Sequence, residues 1–448
     1  MFKKILIANR GEIARRIQRS CRSLGIATVA VYSEADVDAL HVREADEAVL
    51  IGPPPVQQSY LQKDVLVSVA LERGCDAVHP GYGLLSENAD FARAVAKAGL
   101  CFVGPSPDAI ATMGSKLESR RLAALCDVPV LPASGPVDPE DDDALDAAGQ
   151  AVGFPLLVKL SAGGGGIGMT RVELPKKLKK AVAKAARRGQ SAFGDPTVYL
   201  ERAVDKPRHV EVQVLADHHG KVLHFFERDC SVQRRHQKVI EEAPAPGLGQ
   251  ELRDRITGYA VRLAQEIDYQ NAGTVEFLVD GDEAWLLEMN TRIQVEHPVT
   301  EAITGVDLVE WQLRIAAGEE LPFAQSDLET RGHAVELRLY AEDPIQFMPA
   351  PGTIETCELP DGPGIRIDHA LEAGQEVSPF YDPMLAKLVV HAEDRAQAIE
   401  HARAALDRLC LTGITHNAEL HREVLQSEQF ASGRVHTGLI AEIRSDTC

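Results

Sequence analysis

Residues 273–290, with the sequence GTVEFLVDGDEAWLLEMN, alternate apolar side chains with acidic or polar ones on both sides of a DGD turn. This two-residue period predicts two antiparallel strands, because successive side chains of a strand point to opposite faces. On the first strand we expect Glu276 to share a face with Leu278. A loop of three or five residues centred on Asp282 would place Glu276 directly opposite Glu288. The chain must therefore fold around a hairpin on which two carboxylates face each other.

Two facing carboxylates destabilise a hairpin unless a cation lies between them. On the returning strand Glu288 and Asn290 share a face, opposite Leu287 and Met289. Glu276 and Glu288, with the Asn290 amide oxygen, form part of an octahedral Mg²⁺ shell that water and nucleotide phosphates could complete. The alternative is a solvated strand face that binds nothing.

The hairpin is followed by TRIQVEHPVTE, which places a guanidinium, an amide and a carboxylate at alternate positions. We expect Arg292, Gln294 and Glu296 to face one point from an extended segment that Pro298 stops. A guanidinium with an amide suits a small planar oxyanion, and a neighbouring carboxylate suits removal of its proton. Beside a metal site, this pattern indicates attack of an oxyacid on a nucleotide phosphate. The alternative is a structural salt bridge between Arg292 and Glu296.

Composition narrows the function classes. The 448 residues are 45% hydrophobic and carry a net charge of −20, which favours a globular protein of two to four domains and argues against a nucleic-acid partner. We expect a cytoplasmic protein without membrane association, because the sequence shows neither an apolar run of roughly 18 residues nor a signal-peptide pattern. Eight scattered cysteines without a CxxC pair indicate a reducing compartment and no zinc site. Cys230 is a candidate nucleophile, and a packed, unreactive thiol is the alternative that we favour.

Strand and helix patterns divide the chain into an α/β beginning, a central region and a last unit. KKILIAN, EIARRIQRSCRSLG and ATVAVYS predict a βαβ start without the GxGxxG of a dinucleotide site, with Ile13, Ile17 and Cys21 on one helix face. This α/β layer ends near residue 110. Residues 128–149, rich in Pro, Asp and Ala, predict a connection into the central region. A polar break at GEELPFAQSDLETRG precedes the last unit.

A glycine-rich loop joins the first two strands of the central region. Gly163, Gly164, Gly165 and Gly166 leave backbone N–H groups free to contact phosphate oxygens, although the segment is not a Walker loop. The alternative is a flexible hairpin tip. Lys159, on the strand before the loop, either extends toward solvent or points to an anion.

Two further segments of the central region carry polar patterns. HVEVQVLAD alternates strictly, with His209, Glu211 and Gln213 on one face, and a half-exposed strand is the simplest alternative. QRRHQK, residues 233–238, is a dense cationic cluster in what we expect to be an irregular segment between strands, and it predicts an anion pocket. The lysines of KKLKK, residues 176–180, continue into a helix and predict a solvated face.

These segments resemble biotin carboxylase, the ATP-grasp subunit of acetyl-CoA and related acyl-CoA carboxylases. The most specific stretches are RRHQKVIEEAPAP and EMNTRIQVEHPVTE, and others extend the resemblance nearly end to end: IANRGEIARRI, HPGYGLLSEN, MGSK, GGGGIGM, PRHVEVQVLAD, GHAVELRLYAEDP and YDPMLAKL. The resemblance implies an α/β protein with α+β elements. It implies a Rossmann-like N-terminal domain over residues 1–112, an ATP-grasp region over residues 113–318 with a mobile lid at about 131–203, and a mixed C-terminal domain over residues 331–440.

The resemblance also implies roles for individual residues. ATP would contact Lys116, Lys159, Gly163, Gly164, Gly165, Gly166, Glu201, His209, Gln233, His236 and Leu278. Mg²⁺ or Mn²⁺ would be bound by Glu276, Glu288 and Asn290. Bicarbonate would lie on Lys238, Arg292, Gln294 and the Val295 backbone.

The reaction that the resemblance implies begins with Glu296 as general base for bicarbonate. Attack on the γ-phosphate of ATP gives carboxyphosphate, which releases CO₂ beside biotin. Tyr82 and Arg338 would contact biotin, phosphate would take the biotin proton, and Arg338 would stabilise the resulting enolate.

Several residues depart from the pattern of the family. Ala162 and Ile167 replace the usual flap glycine and basic residue, which predicts weaker closure over the phosphates. ERAV replaces a hinge with a lysine and an aromatic residue, and His416 replaces a threonine. Neither Lys116 nor Lys387 lies between methionines, as a biotin-accepting lysine does. We therefore expect biotin to arrive on a biotin carboxyl carrier protein, with carboxyltransferase subunits acting downstream, and the resemblance implies a homodimer.

Two other functions remain possible from the sequence. One is a different ATP-grasp ligase, such as a purine-pathway carboxylating enzyme or a carbamoyl phosphate synthetase fragment, and the intact RIQVEH and RRHQK stretches argue against it. The other is a nucleotide-binding regulatory subunit or scaffold. A decayed enzyme would have lost a member of the set Glu276, Glu288, Arg292 and Glu296, all of which are present. The final acyl acceptor stays open, because another subunit selects it.

Overall fold

The computed structural model describes residues 1–160 and 169–446. The predicted glycine-rich phosphate loop, with Gly163 to Gly166, Ala162 and Ile167, lies outside the described residues. Among the helices of the described residues, none has the length and hydropathy that crossing a bilayer requires.

The first part of the chain alternates strands with helices, as its βαβ pattern predicts. Its elements are β1 (Lys4–Ile7), α1 (Gly11–Leu24), β2 (Ala27–Ser33), α2 (Leu40–Arg43), β3 (Glu47–Gly52), α3 (Lys63–Glu72), β4 (Ala77–His79), α4 (Ala89–Lys97), β5 (Cys101–Phe102), α5 (Pro107–Gly114) and α6 (Lys116–Leu125). The strands form a parallel sheet in the order β3-β2-β1-β4-β5, which confirms the Rossmann-like arrangement. Helix α1 buries Ile13, Ile17 and Cys21 on one face, because these residues recur every four positions.

The next part forms a small antiparallel sheet. Its elements are β6 (Ala133–Val137), α7 (Asp142–Val152), β7 (Leu156–Leu160), β8 (Thr170–Val172), α8 (Leu178–Phe193) and β9 (Val198–Arg202). The strand order is β6-β9-β7-β8. The prediction that residues 128–149 are only a connection is wrong, since this stretch holds β6 and most of α7. The Asp141 side chain accepts the Ala144 N–H and caps α7, so the acidic run is a helix start.

The rest of the chain builds one long antiparallel sheet, two small two-stranded sheets (β16-β19 and β17-β21) and several helices. Its elements are β10 (Arg208–Ala216), β11 (Val222–Arg234), β12 (Gln237–Ala243), α9 (Gln250–Glu266), β13 (Asn271–Asp280), β14 (Glu283–Asn290), α10 (His297–Thr304), α11 (Leu308–Ala316), β15 (His333–Tyr340), β16 (Gly352–Thr353), β17 (Thr356–Glu358), β18 (Ile365–His369), β19 (Glu376–Val377), β20 (Met384–Ala392), α12 (Arg395–Arg408), β21 (Cys410–Thr412), α13 (Ala418–Gln426), α14 (Glu428–Ala431) and α15 (Leu439–Asp446). Eight strands pair in the order β14-β13-β10-β11-β12-β15-β20-β18. The sheet therefore runs without a break from the central region into the last unit.

Strand β10 lies in the middle of this sheet and is buried on both faces. Val210, Val212 and Val214 pack against α9 in an apolar core. Glu211 and Gln213 on the opposite face are also fully buried. The alternation was predicted correctly, but the half-exposed alternative is wrong because polar groups from other strands cover the second face.

Strands β13 and β14 form the predicted hairpin, with Glu276 directly opposite Glu288. The turn differs from the prediction, because only Gly281 and Asp282 connect the strands and a bulge at Leu287 restores the register. Gly281 has a φ of 57°, which suits the tight turn. Leu287, at the bulge, is 36% exposed.

Helix α3 offers a matched test of core packing. Leu66 is 1% exposed and Leu71 is 51% exposed on the same helix. We expect Leu66→Ala to lower the free energy of unfolding by about 2–5 kcal/mol, because it leaves a cavity, and Leu71→Ala to change it by less than about 0.5 kcal/mol. Urea unfolding followed by circular dichroism measures both values. Equal losses for the two variants would contradict this packing.

Candidate active site

A cluster of charged side chains lies on the polar face of the eight-stranded sheet. Five neighbouring strands, in the sheet order β13-β10-β11-β12-β15, each contribute one member: Glu276, Glu211, Arg228, Lys238 and Arg338. The turn at residues 291–296, between β14 and α10, adds Gln294 and Glu296. We call these seven residues the charged cluster. Because its members come from distant parts of the sequence, the sheet assembles it.

Lys238 is the centre of the charged cluster. Its Nζ lies 2.6 Å from Glu211 Oε2, 2.8 Å from Glu276 Oε1 and 2.5 Å from Glu296 Oε1. Three carboxylates around one ammonium raise the pKa of Lys238 well above its ordinary value, although burial opposes this. The lysine is therefore charged at neutral pH.

Glu296 and Glu276, two of the three carboxylates around Lys238, are ionised. Burial alone would raise the pKa of Glu296, but the charges of Lys238, Arg338 and Arg228 hold it well below its ordinary value. The charges of Lys238 and His209 likewise outweigh burial and hold the pKa of Glu276 well below its ordinary value.

Arg228 holds the floor of the charged cluster. The side chain is fully buried, and its guanidinium donates to Glu211 at 2.6 Å, to Gln213 at 2.8 Å and to Gln294 at 2.7 Å. The hydroxyl oxygens of Thr274 and Thr300 accept two further hydrogen bonds. The sequence patterns indicated no role for Arg228, although an arginine within a central strand must find buried acceptors.

Arg338 completes the charged cluster from β15. Its Nη2 donates to Glu296 Oε2 at 2.9 Å, and its Nε lies 2.6 Å from Glu241 Oε1. Burial raises the pKa of Glu241 to about 7, against the opposing effect of Arg338. Glu296 is thus held on one oxygen by Lys238 and on the other by Arg338.

The turn at residues 291–296 brings two of its three predicted side chains into the charged cluster. Gln294 Nε2 donates to Glu276 Oε1 at 2.7 Å, beside Glu296. Arg292 lies at the edge, where its Nε donates to Glu87 at 3.0 Å and its Nη2 to Asn290 at 2.8 Å.

Two details of this turn differ from the prediction. Pro298 does not stop an extended segment but lies in the first turn of α10, where its missing N–H costs nothing. The alternative of an Arg292–Glu296 salt bridge is wrong, because Glu296 pairs with Lys238 and Arg338.

The predicted metal ligands lie together on the hairpin. Glu288 is partly exposed, and desolvation by the surrounding protein, followed by the charges of Glu276 and Glu87, raises its pKa. The buried Asn290 Nδ2 has no hydrogen-bond partner among the described residues. Two facing carboxylates of which one resists ionisation fit a divalent cation, since the cation would remove the repulsion.

A second group of possible metal ligands lies beside the first. His209, Glu211 and Glu276 place ligand atoms within 4.8 Å of one another. Lys238 Nζ contacts both carboxylates of this second group but only Glu276 of the hairpin pair, so the ammonium already serves as the cation of the second group. The hairpin set is therefore the better metal site.

The cationic segment 233–238 is not the irregular segment that its composition predicts. The strands β11 and β12 extend into it, so only Arg235 and His236 form the turn, both with positive φ. Arg234 Nε donates to Glu342 at 2.6 Å instead of facing an anion. The lysine on β12 is the member that reaches the charged cluster.

Two lysines predicted to contact ATP lie near the end of β7. Lys159 pairs with Glu201 of β9. It therefore does not extend to solvent, and its ammonium already has a carboxylate partner. Lys116 Nζ lies 3.3 Å from the Leu160 carbonyl oxygen. Burial and the nearby charge of Lys159 lower the pKa of Lys116.

Of the remaining predicted nucleotide contacts, His209, Gln233 and Leu278 lie beside the hairpin of β13 and β14. His209 Nε2 lies 3.1 Å from Glu276 Oε2, and its Nδ1 lies 3.0 Å from Gln233 Nε2. Leu278 is the cross-strand partner of His209. His236 lies in the exposed turn between β11 and β12, away from these groups in the sheet register.

The structure shows the local environments of three other residues that the sequence singled out, Tyr82, Cys230 and His416. The Tyr82 hydroxyl donates to Glu12, and burial raises the pKa of this tyrosine well above its ordinary value. Burial also raises the pKa of the Cys230 thiol, which supports the packed-thiol alternative. His416 Nε2 lies 3.1 Å from the Leu411 carbonyl oxygen, within the last unit.

Comparison with protein families covers most of the chain. The model for the biotin carboxylase N-terminal domain matches residues 1–110. The model for the ATP binding domain of the carbamoyl-phosphate synthase L chain matches residues 115–324, and that for the biotin carboxylase C-terminal domain matches residues 336–442.

Individual relatives agree with the family models. The biotin carboxylase of Halalkalibacterium halodurans is 54% identical over 98% of this chain and 97% of its own length. A pyruvate carboxylase subunit from Methanothermobacter thermautotrophicus is 48% identical, over 99% of this chain and 90% of its own length.

Solved structures give the same result. The biotin carboxylase domain dimer of Hydrogenobacter thermophilus 2-oxoglutarate carboxylase, in complex with MgADP, ADP and bicarbonate, matches with a TM-score of 0.94. The match has 43% identity and covers 99% of this chain and 98% of that chain. The resemblance and the fold class that the motifs predict are confirmed, and this chain belongs to the biotin carboxylase family of ATP-dependent carboxylases.

Proposed function

We propose that this chain carboxylates biotin on a separate carrier protein, with bicarbonate and ATP as substrates and carboxyphosphate as intermediate. The observation that carries the proposal is the placement of Glu296 between Lys238 and Arg338, with contacts of 2.5 Å and 2.9 Å. Glu296 is ionised there, which is the form that accepts a proton.

Bicarbonate would bind on Lys238, Arg292, Gln294 and the Val295 backbone. An anion beside Lys238 competes with Glu296 for the ammonium, and weaker pairing raises the pKa of the carboxylate. Substrate binding would thus turn a stabilised ion pair into a stronger base. Glu296 would take the bicarbonate proton as the bicarbonate oxygen attacks the γ-phosphate of ATP, so that carboxyphosphate forms and ADP leaves.

ATP would lie along the edge formed by β7, β10 and the hairpin. Its proposed contacts are Lys116, Lys159, Glu201, His209, Gln233, His236, Leu278 and the glycines Gly163 to Gly166. Glu276, Glu288 and Asn290 would hold Mg²⁺ or Mn²⁺, which supplies charge neutralisation for the transferring phosphoryl group. The Lys159–Glu201 ion pair supports this site, because a phosphate of ATP could take the place of the Glu201 carboxylate beside Lys159.

Biotin would bind against Tyr82 and Arg338, where carboxyphosphate breaks down to CO₂ and phosphate. The phosphate takes the biotin proton, Arg338 stabilises the enolate, and the enolate attacks CO₂ to give carboxybiotin. Arg338 contacts Glu241 and Glu296, so its charge is held in place beside the charged cluster. We call the proposed substrate space at this cluster the cleft. We propose three domains, over residues 1–112, 113–318 and 331–440, with a lid at about 131–203. The small sheet of β6 to β9 falls within this lid and supports the division.

The proposed partners are a biotin carboxyl carrier protein, carboxyltransferase subunits and a second copy of this chain. We propose an acyl-CoA, acetyl-CoA first, as the final acceptor, with a role in cytoplasmic fatty acid synthesis. The resemblance to acyl-CoA carboxylases supports this choice, whereas the relative from Methanothermobacter thermautotrophicus, named as part of a pyruvate carboxylase, supplies the competing acceptor.

The function is tested by the ATP hydrolysis of the purified chain with Mg²⁺ and bicarbonate, with and without free biotin. We expect biotin to stimulate phosphate release, and Glu296→Gln to reduce the stimulated rate by at least about 10²-fold, because it removes the base. Glu283→Gln, at the exposed start of β14, is the matched control and should stay within about twofold of wild type. Phosphate release that ignores both biotin and Glu296→Gln would rule out the proposal and favour another ATP-grasp ligase.

The metal site is tested by the Mg²⁺ dependence of the same rate. Glu288→Gln should raise the half-saturating Mg²⁺ concentration at least about tenfold, because it removes one carboxylate of the hairpin pair. Glu283→Gln removes a carboxylate from the same strand and should leave this concentration unchanged. An unchanged Mg²⁺ requirement in Glu288→Gln would show that the hairpin does not hold the ion.

The acceptor is tested by reconstitution of the chain with its biotinylated carrier and carboxyltransferase subunits. We expect transfer of labelled bicarbonate carbon to acetyl-CoA and no transfer to pyruvate. Transfer to pyruvate alone would replace the acyl-CoA assignment and leave the biotin carboxylase reaction intact.

A further inference from the structure

Two buried basic side chains outside the charged cluster contact the backbone of the turn at residues 291–296. His297 Nδ1 lies 2.7 Å from the Gln294 carbonyl oxygen, and Lys387 Nζ lies 3.0 Å from the Val295 carbonyl oxygen. Both side chains are fully buried, and they come from α10 and β20. The Gln294 carbonyl is therefore held by the first residue of α10, whose backbone N–H also donates to it at 3.3 Å, and the Val295 carbonyl is held by a lysine from a distant strand.

The contact with Gln294 fixes the tautomer of His297. Burial first, and then the charges of Lys387 and Arg16, lower the pKa of His297 well below its ordinary value, so the ring is neutral. A carbonyl oxygen only accepts hydrogen bonds, so Nδ1 must carry the proton. The other ring nitrogen is buried and has no hydrogen-bond partner in the described part of the chain.

The planar peptide bond fixes the direction of each N–H group relative to the carbonyl group of the preceding residue. A trans peptide places its N–H opposite its C=O. His297 therefore sets the direction of the Val295 N–H, and Lys387 sets that of the Glu296 N–H. Within residues 1–160 and 169–446, neither N–H donates to another protein group. Both carbonyls point to the buried side, and both N–H groups remain available to a ligand on the other side.

Lys387 also reaches the proposed biotin side of the cleft. Its Nζ lies 3.3 Å from Glu12 Oε2 and 6.0 Å from the centre of the Tyr82 ring. The Tyr82 hydroxyl donates to the other oxygen of the same glutamate. The Lys387 ammonium thus contacts both the backbone of the turn at residues 291–296 and the residues beside the proposed biotin site.

We propose that His297 and Lys387 are positioning residues for the oxyanion substrate. They hold the Gln294 and Val295 carbonyls away from the cleft, so that the Val295 and Glu296 N–H groups face the anion. Carbonyl oxygens in their place would repel an anion, and N–H groups attract it. The inference rests on the proposed function, because the oxyanion is bicarbonate.

A matched pair of amides tests His297. The amide nitrogen of His297→Asn stands near the position of Nδ1 and can donate to the Gln294 carbonyl, whereas the amide of His297→Gln extends to the position of Nε2. We expect His297→Gln to raise the KM for bicarbonate about tenfold, as loss of one buried hydrogen bond would. The KM for ATP should stay within about twofold, and His297→Asn should restore the KM for bicarbonate to near the wild-type value. Equal KM values for bicarbonate in the two variants would overturn the inference.

A second pair tests Lys387. Lys387→Met should raise the KM for bicarbonate and for free biotin, whereas Lys387→Arg should recover most of both, because it keeps a buried donor. If Lys387→Met fails to fold, the His297 pair decides the question, since neither of those variants removes a charge. A Lys387→Met protein that folds and keeps the wild-type KM for bicarbonate would contradict a positioning role.

A measurement without turnover separates this inference from the proposed function. Nitrogen-15 spectra of the wild-type chain, with the His297→Asn chain to identify the resonance, report the tautomer of His297. A neutral ring protonated at Nδ1 supports the inference, and a ring protonated at Nε2 or at both nitrogens overturns it, even in an active enzyme. Absence of bicarbonate-dependent hydrolysis in a wild-type chain with the Nδ1 tautomer would instead reject the proposed function.

Discussion

The ammonium of Lys238 is the interaction on which the rest of the site depends. Three carboxylates from β10, β13 and the turn after β14 lie within 2.8 Å of it, and none of the four groups could be buried alone at tolerable cost. Removal of one member of such a buried group costs about 3–5 kcal/mol, because a charge is left without its partner. The same compensation makes the site responsive, since a substrate anion at Lys238 must displace a carboxylate, and the displaced carboxylate is the proposed base.

Different cations around the charged cluster have different tasks. Arg228 is fully buried and orients Gln294 together with Glu211, so it supports the floor. Arg338 and Arg292 lie at the edges, where substrates would approach. The backbone of the turn has its own supports in His297 and Lys387. Because each task has a separate group, a substrate can exchange contacts with one cation while the others hold the geometry.

The local pattern predicted more than half of the site directly. The strand alternation of HVEVQV, the pairing of Glu276 with Glu288, and the convergence of Gln294 and Glu296 all follow from residues close in sequence. It failed where a local signal has two meanings. The acidic run before α7 was interpreted as a loop although Asp141 caps a helix, and the two-residue turn of the hairpin was missed because a bulge at Leu287 compensates for its length.

The sequence by itself determined the family and many of the strands, and it singled out the candidate site residues, because periodicity and motif spacing are local properties of the chain. Only the tertiary structure decided which of these side chains meet. Glu211 lies 27 residues before Lys238, and Glu296 lies 58 residues after it. The register of the eight-stranded sheet brings both carboxylates to the Lys238 ammonium. Arg228 and Lys387 carry no local sign of their roles, since a buried cation acquires its function from the acceptors that the fold places around it.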